Sequence, residues 1–240
     1  MRHRGAGAPA GAGRGRPDGV SGRLGKTFFK ARAGLLAALA LFTIASAALA
    51  EPVRIVALGD SLTAGYGLPA AKAFPVQLEA ALKARGLDVR VENAGVSGET
   101  AAQGLARLDW SVPPGTEAVI VALGANDMLR GLDPAVAEAA LADILARLKA
   151  RGLPVLLAGM KAAPNLGPDY RARFDAIYPR LAERDGVLLY PFFLEGIAGV
   201  RELNQKDGIH PTPEGVAVMV AGILPKAEAL VKQAEDKRRR

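Results

Sequence analysis

Five short runs of β-branched and apolar character alternate along the chain with longer stretches in which apolar residues recur at helical spacing. The candidate strands are Val53–Leu58, Val89–Asn93, Ala118–Leu123, Pro154–Gly159 and Val187–Tyr190. The candidate helices are Phe74–Arg85, Thr100–Leu108, Pro134–Arg151, Asp169–Arg184 and Pro213–Lys232. Alternating strands and helices predict a parallel sheet with helices on both faces, and strands buried on both faces consist of continuous apolar runs. The sequence therefore predicts one three-layer α/β/α domain with a parallel five-stranded sheet.

The first fifty residues differ in charge and composition from the remainder. Residues 1–50 hold eight Lys and Arg and one Asp, whereas residues 51–240 hold 23 basic and 23 acidic residues. The apolar stretch Ala33–Ala50 follows the basic portion and closes on Ala48-Leu49-Ala50, which fits a small-x-small cleavage signal. We therefore expect residues 1–50 to be a signal peptide cleaved after Ala50, and the mature protein to be periplasmic or secreted.

Two alternatives to this interpretation of the N-terminus stay open. The apolar stretch has 18 residues, which is near the lower limit for an uncleaved membrane anchor. The basic portion is long for a signal peptide, and a translation start near Val20 would give a leader of ordinary length. Cleavage is the expected outcome, and it leaves no stable membrane anchor on the mature chain.

Composition excludes several classes of function for residues 51–240. Their balanced charge argues against a nucleic-acid partner. The chain has no cysteine, so disulfides and a thiol nucleophile are excluded, and a single histidine after residue 50 cannot build a multi-histidine zinc site, so no metal site is predicted. We expect a catalytic domain over residues 51–235, followed by a basic, frayed tail at residues 236–240.

Ser61 follows the first candidate strand directly, within the sequence Gly59-Asp60-Ser61. In a parallel α/β sheet, sites gather beyond the carboxyl ends of the strands. A serine hydroxyl becomes a useful nucleophile only beside a base, and His210 is the one histidine available after residue 50. Asp207 precedes His210 by three residues in a turn rich in Gly and Pro, where its carboxylate can orient the imidazole. These residues form a candidate Ser–His–Asp triad.

Acyl transfer also needs hydrogen-bond donors for the oxyanion. The candidates are the backbone N–H of Ser61, the backbone N–H of Gly98 and the side-chain amide of Asn126, with Gly95 as the weaker alternative to Gly98. Each of these residues also has an ordinary structural interpretation, as a turn glycine or a loop and cap residue. Their joint occurrence after successive strands favours the catalytic interpretation.

Four stretches occur in the order and spacing of the characteristic blocks of the SGNH, or GDSL-type, hydrolases. The stretches are GDSLT (Gly59–Thr63), NAGVSGET (Asn93–Thr100), LGANDML (Leu123–Leu129) and DGIHPT (Asp207–Thr212). The chain resembles this family, and most closely its secreted arylesterase, thioesterase I and lysophospholipase L1 group. The resemblance implies a flavodoxin-like fold, hydrolysis of acyl esters without a cofactor, and the triad and oxyanion roles given above.

The expected substrate is a small acyl ester or thioester, with lysophospholipid as one option. The Pro/Gly-rich loop Lys161–Arg171 is a candidate wall of the acyl site, through Pro164, Leu166 and Tyr170. Asp60 and Asp127 are expected to brace loops through backbone amides rather than to act as a glycosidase pair. The alternative function is a non-catalytic, flavodoxin-like module that binds a ligand or an acyl chain.

Overall fold

Five parallel strands form one sheet in the order β2-β1-β3-β4-β5 in the computed structural model, which describes residues 51–240. The strands are β1 (Val53–Gly59), β2 (Val89–Gly95), β3 (Ala118–Ala122), β4 (Val155–Ala158) and β5 (Leu188–Tyr190). This order places β1 between β2 and β3 and confirms the predicted flavodoxin-like sheet. The predicted signal peptide and its cleavage site at residue 50 lie outside the described residues.

Nine α-helices lie within residues 51–240. They are α1 (Ser61–Ala64), α2 (Phe74–Ala84), α3 (Ala101–Ala106), α4 (Leu108–Ser111), α5 (Ala125–Leu129), α6 (Pro134–Ala150), α7 (Pro168–Asp175), α8 (Ile177–Asp185) and α9 (Pro213–Arg238). Helices α2 and α9 pack together, and α9 contacts β1, β3, β4 and β5, whereas α3, α6 and α8 pack into a second layer. The central strand β3 is buried at every residue, as a strand covered on both faces must be.

Two predicted helices are each divided in two. The segment Thr100–Leu108 breaks at Arg107, between α3 and α4. The segment Asp169–Arg184 breaks at Ala176, three residues before Pro179. Proline has no backbone N–H to continue a helix begun upstream, but it is tolerated in the first turn of a new one. A new helix therefore begins at Ile177.

The C-terminal segment also differs from the prediction. Helix α9 continues through Arg238, so the predicted frayed tail at residues 236–240 is wrong for most of its length. The Arg238 guanidinium forms an ion pair with Glu117 and donates a hydrogen bond to the carbonyl of Pro52. These contacts attach the end of the helix to the start of the sheet. In the described range, no helix is both long enough and apolar enough to cross a bilayer.

Candidate active site

Ser61 is the first residue of α1 and lies just beyond the last residue of β1. Asp60 caps this short helix, because its Oδ1 accepts a hydrogen bond from the N–H of Leu62 at 2.9 Å. The end of β2 packs closely beneath the turn: a Cβ placed on Gly95 would lie 2.3 Å from the backbone nitrogen of Ala64. Gly95 therefore supports the turn by close packing, and this packing fixes the direction in which the Ser61 side chain points.

Ser61, His210 and Asp207 lie together at this edge of the sheet. Nε2 of His210 is 3.0 Å from Oγ of Ser61, and Nδ1 of His210 is 2.7 Å from Oδ2 of Asp207. Both distances are within hydrogen-bond range. The imidazole therefore bridges the hydroxyl and the carboxylate, which is the arrangement in which a histidine can take the proton of a serine.

The Asp207 carboxylate is held in its charged form. The hydrogen bond from His210, joined by backbone N–H donors of Ile209 and His210, lowers the pKa of Asp207 to about 2. Its Oδ1 accepts both backbone bonds, at 3.0 and 3.1 Å, which leaves Oδ2 for the imidazole. The turn thus orients the carboxylate and keeps it ionised at neutral pH.

The loop that carries these two residues is closed at its base. Asn204 and Pro211 form an antiparallel bridge, and the backbone N–H of Gln205 donates to the carbonyl of His210 at 2.7 Å. The side chain of Gln205 donates to the carbonyls of Tyr66 and Pro211. The tyrosine ring lies against the His210 imidazole, with 4.5 Å between ring centroids. These contacts hold the imidazole towards Ser61.

The candidate oxyanion donors face a cavity that lies over Ser61. Ser61, Gly98 and Asn126 all line it, and Gly98 has a φ of +84°, a conformation that favours glycine. The Asn126 amide nitrogen donates to the carbonyl of Glu99 at 3.0 Å and to Oδ2 of Asp60 at 3.3 Å. The amide is thereby positioned between the Ser61 turn and the Gly98 segment.

An arginine ties the Gly98 segment to the end of β1. Arg107 forms an ion pair with Glu99 at 2.5 Å, donates to the carbonyl of Gly59 at 3.0 Å and donates to Oγ of Ser111 at 2.7 Å. The Arg107 and Glu99 side chains are largely buried. Arg107 therefore holds the segment that follows β2 in a fixed position relative to Gly59, at the end of β1.

Two further carboxylates are buried beside the site. Burial raises the pKa of Asp60 to about 6, and burial also raises the pKa of Asp127. Asp127 Oδ2 accepts the backbone N–H of Ala101 at 2.8 Å, at the start of α3. The prediction that both carboxylates brace loops through backbone amides is confirmed.

A half-open cavity of about 410 Å³ lies over Ser61. Its apolar wall consists of Leu62, Met128, Leu129, Met160, Leu194, Ala198 and Ile209. Sequence reasoning named neither Tyr66 nor this wall as substrate contacts. Leu62, Met128, Leu129 and Ile209 lie within the four family blocks, whereas Met160, Leu194 and Ala198 come from separate segments that share no motif or period. An apolar cavity next to a polar centre suits a substrate with an acyl chain.

The predicted acyl wall in the loop Lys161–Arg171 is wrong. Pro164, Leu166 and Tyr170 do not line the cavity. Leu166 packs against the core, and the Tyr170 hydroxyl donates to the carbonyl of Leu132 at 2.9 Å. A 3-10 turn at Pro164–Leu166 and helix α7 turn this loop back onto the domain.

The fold and the site together define a hydrolase of three-layer α/β/α architecture with a serine just beyond the end of β1. The profile of the GDSL-like Lipase/Acylhydrolase family matches residues 57–218. The chain belongs to this family and is a carboxylic ester hydrolase.

The match to each of these relatives spans at least 90% of the relative's length. An arylesterase of Vibrio mimicus is 41% identical over 195 residues, which are 80% of this chain and 98% of the relative. The thioesterase 1/protease 1/lysophospholipase L1 of Escherichia coli (strain K12) is 38% identical over 194 residues, or 80% of this chain and 90% of the relative. The crystal structure of AlinE4, an SGNH-hydrolase family esterase, is 46% identical with a TM-score of 0.65, over 76% of this chain and 98% of that one.

Proposed function

We propose that this protein is an exported serine esterase that hydrolyses acyl esters or thioesters through an acyl-enzyme intermediate. The observation that carries the proposal is the bridge formed by His210 between the Ser61 hydroxyl and the Asp207 carboxylate, at 3.0 and 2.7 Å. The apolar cavity over Ser61 supports an acyl substrate. The names of the Vibrio mimicus and Escherichia coli relatives support esters and thioesters as the substrate class.

In the proposed first half-reaction, Nε2 of His210 takes the proton of Ser61 as Oγ attacks the acyl carbonyl carbon. The negative charge passes to the carbonyl oxygen, which accepts hydrogen bonds from the N–H groups of Ser61 and Gly98 and from the Asn126 amide. The amide exchanges its longer hydrogen bond to Asp60, at 3.3 Å, for the one to this oxygen. Asp207 stabilises the imidazolium. The imidazolium then donates its proton to the leaving oxygen or sulfur as the bond to the acyl carbon breaks.

In the second half-reaction, water replaces the departed alcohol or thiol. His210 takes a proton from this water as its oxygen attacks the acyl carbon of the Ser61 ester. The tetrahedral intermediate collapses, Oγ regains a proton from His210, and the carboxylic acid leaves. Each proton that His210 accepts is returned, so hydrolysis needs no other proton carrier within the cycle.

Export is the second part of the proposal. It rests on the basic residues that precede the apolar stretch Ala33–Ala50 and on the small residues at its end. Expression of the full-length gene product in a Gram-negative host, followed by intact-mass analysis of the periplasmic fraction, tests it. A mature chain that begins at Glu51 supports export with cleavage, whereas a full-length chain retained in the cytosol or the membrane contradicts it.

Hydrolysis of matched substrates tests the catalytic part. The purified protein is assayed with p-nitrophenyl esters and acyl thioesters of increasing chain length, beside the Ser61→Ala variant. We expect turnover of both substrate classes and its loss in the variant, with an unchanged far-UV circular dichroism spectrum. Failure of the wild-type protein to hydrolyse any member of either series would contradict the proposal.

A further inference from the structure

A second cavity adjoins the one over Ser61. Its volume is about 450 Å³, and it shares Gly199, Asn204 and Gly208 with the catalytic cavity as common wall residues. The walls differ in chemistry: the catalytic cavity is mainly apolar, whereas the second one carries the cationic side chains of Arg201 and Lys206. An extended substrate can therefore occupy both cavities at once.

The two cations are available to a ligand. Within residues 51–240, neither Arg201 nor Lys206 lies within ion-pair distance of a carboxylate. Two acidic residues are close in sequence. Asp207 is engaged by His210 and by backbone N–H groups, and Glu202 does not line the second cavity. The wall of this cavity therefore has an uncompensated positive charge.

The chemistry of the proposed function decides which part of the substrate faces these cations. The leaving oxygen or sulfur must lie next to Nε2 of His210, because that nitrogen gives it a proton. Lys206 is on the same closed loop as His210, and Gly208, between them, lines both cavities. The leaving group thus departs on the side of the second cavity, while the acyl chain occupies the apolar one.

We propose that the cavity bearing Arg201 and Lys206 is a subsite for a phosphate on the leaving group of the substrate. This inference rests on the proposed function. Arginine and lysine are the side chains that bind phosphate, through charge-assisted hydrogen bonds and as a point charge. The short path along the loop from His210 to Lys206 favours a phosphate that is joined to the ester through glycerol, as in a lysophospholipid. A coenzyme A thioester also carries phosphate on its leaving group, but a longer chain separates that phosphate from the scissile bond.

Two matched pairs of substrates test the subsite. The first pair is octanoylglycerol 3-phosphate and octanoylglycerol, and the second is octanoyl-coenzyme A and the octanoyl thioester of N-acetylcysteamine. Each pair keeps the acyl chain and the scissile bond and differs in the phosphate-bearing part. They are assayed with wild-type protein, with the Arg201→Gln/Lys206→Gln variant, and with an Arg85→Gln/Lys226→Gln control that removes equal charge from exposed positions outside both cavities.

We expect the Arg201→Gln/Lys206→Gln variant to lose about tenfold in kcat/KM for the glycerophosphate ester and less than about twofold for octanoylglycerol. The control variant should change neither by more than about twofold. Added salt should reduce the wild-type preference for the phosphate ester and leave the variant unaffected, because exposed charges are screened. The charge-preserving Arg201→Lys and Lys206→Arg variants should retain most of the preference.

The outcomes distinguish failure of the phosphate subsite from failure of the proposed esterase function. A loss limited to the glycerophosphate ester supports a lysophospholipid phosphate, and a loss limited to the coenzyme A thioester supports the subsite with that ligand instead. Equal kinetics of wild type and variant on both phosphate-bearing substrates, with the neutral esters still hydrolysed, would overturn the subsite alone. Absence of hydrolysis of all four substrates by wild-type protein would overturn the proposed function as well.

Discussion

Nε2 of His210 lies 3.0 Å from Oγ of Ser61, although 149 residues separate the two along the chain. The fold closes this distance by placing the end of β1 beside the loop that precedes α9. The closed base of that loop and the ring of Tyr66 hold the imidazole in place.

Replacement of Asp207 by Asn tests the orientation of the imidazole. An amide opposite Nδ1 would present a donor to it, so the imidazole would carry its proton on Nε2 and could no longer accept one from Ser61. We expect kcat to fall by roughly 10³–10⁴-fold in steady-state kinetics on a p-nitrophenyl ester. The Glu202→Gln variant, which removes the neighbouring carboxylate, should leave kcat unchanged. Equal activity of Asp207→Asn and wild type would exclude the role given to Asp207.

Among the proposed oxyanion donors, the side chain of Asn126 is the one that mutation can remove most cleanly. We expect Asn126→Ala to lower kcat by roughly 10²–10³-fold, with little change in KM, because the lost hydrogen bond forms in the transition state. The matched control is Asn165→Ala, because Asn165 is exposed and lies outside the cavity. A rise in KM at constant kcat would instead assign Asn126 to substrate binding.

The buried carboxylate of Asp60 makes the stability of the protein depend on pH. Its pKa is about 6 in the folded state, above the ordinary value of 3.8. The stabilising contribution of the protonated form is complete below the ordinary value and is lost as pH rises through about 6. Between pH 4 and pH 7, we expect the free energy of unfolding of wild type to fall by up to about 3 kcal/mol relative to Asp60→Asn. Urea titrations of both proteins measure this difference, and parallel pH dependence would refute it.

The ring of Tyr66 is expected to act on His210 by packing alone. Tyr66→Ala should lower kcat/KM by about twofold to tenfold, in line with the energy of an aromatic contact, because the imidazole gains freedom to leave Ser61. Tyr66→Phe keeps the ring and should behave like wild type in the same assay. A comparable loss in Tyr66→Phe would show that the hydroxyl, and not the packing, matters.

Local patterns were sufficient to predict the framework of this protein. The predicted runs lie within one or two residues of the five strands. The strands β3 and β4 are continuously apolar because they are buried on both faces, whereas the edge strand β2 alternates buried and exposed residues at its start. Ser61, Gly98 and Asn126 follow β1, β2 and β3, and parallel strands bring those ends to one edge. The neighbourhood of these residues therefore follows from topology.

Features that depend on packing between distant segments could not be predicted in this way. Val76 is apolar like Leu78 and Leu82 of the same helix, yet it is exposed, whereas those two residues are buried. The acyl wall was assigned to the loop that contains Tyr170, whose hydroxyl instead bonds to the carbonyl of Leu132. In both cases the side chain's own sequence neighbours do not determine what it contacts.

Covalent labelling by a fluorophosphonate tests the central claim most directly, because only an activated serine displaces fluoride at a useful rate. Intact-mass and peptide analysis of wild-type protein should find one adduct per chain, on the peptide that contains Ser61. Ser61→Ala should remain unlabelled, and His210→Ala should label far more slowly than wild type. Labelling at another residue, or an equal rate in His210→Ala, would contradict the account.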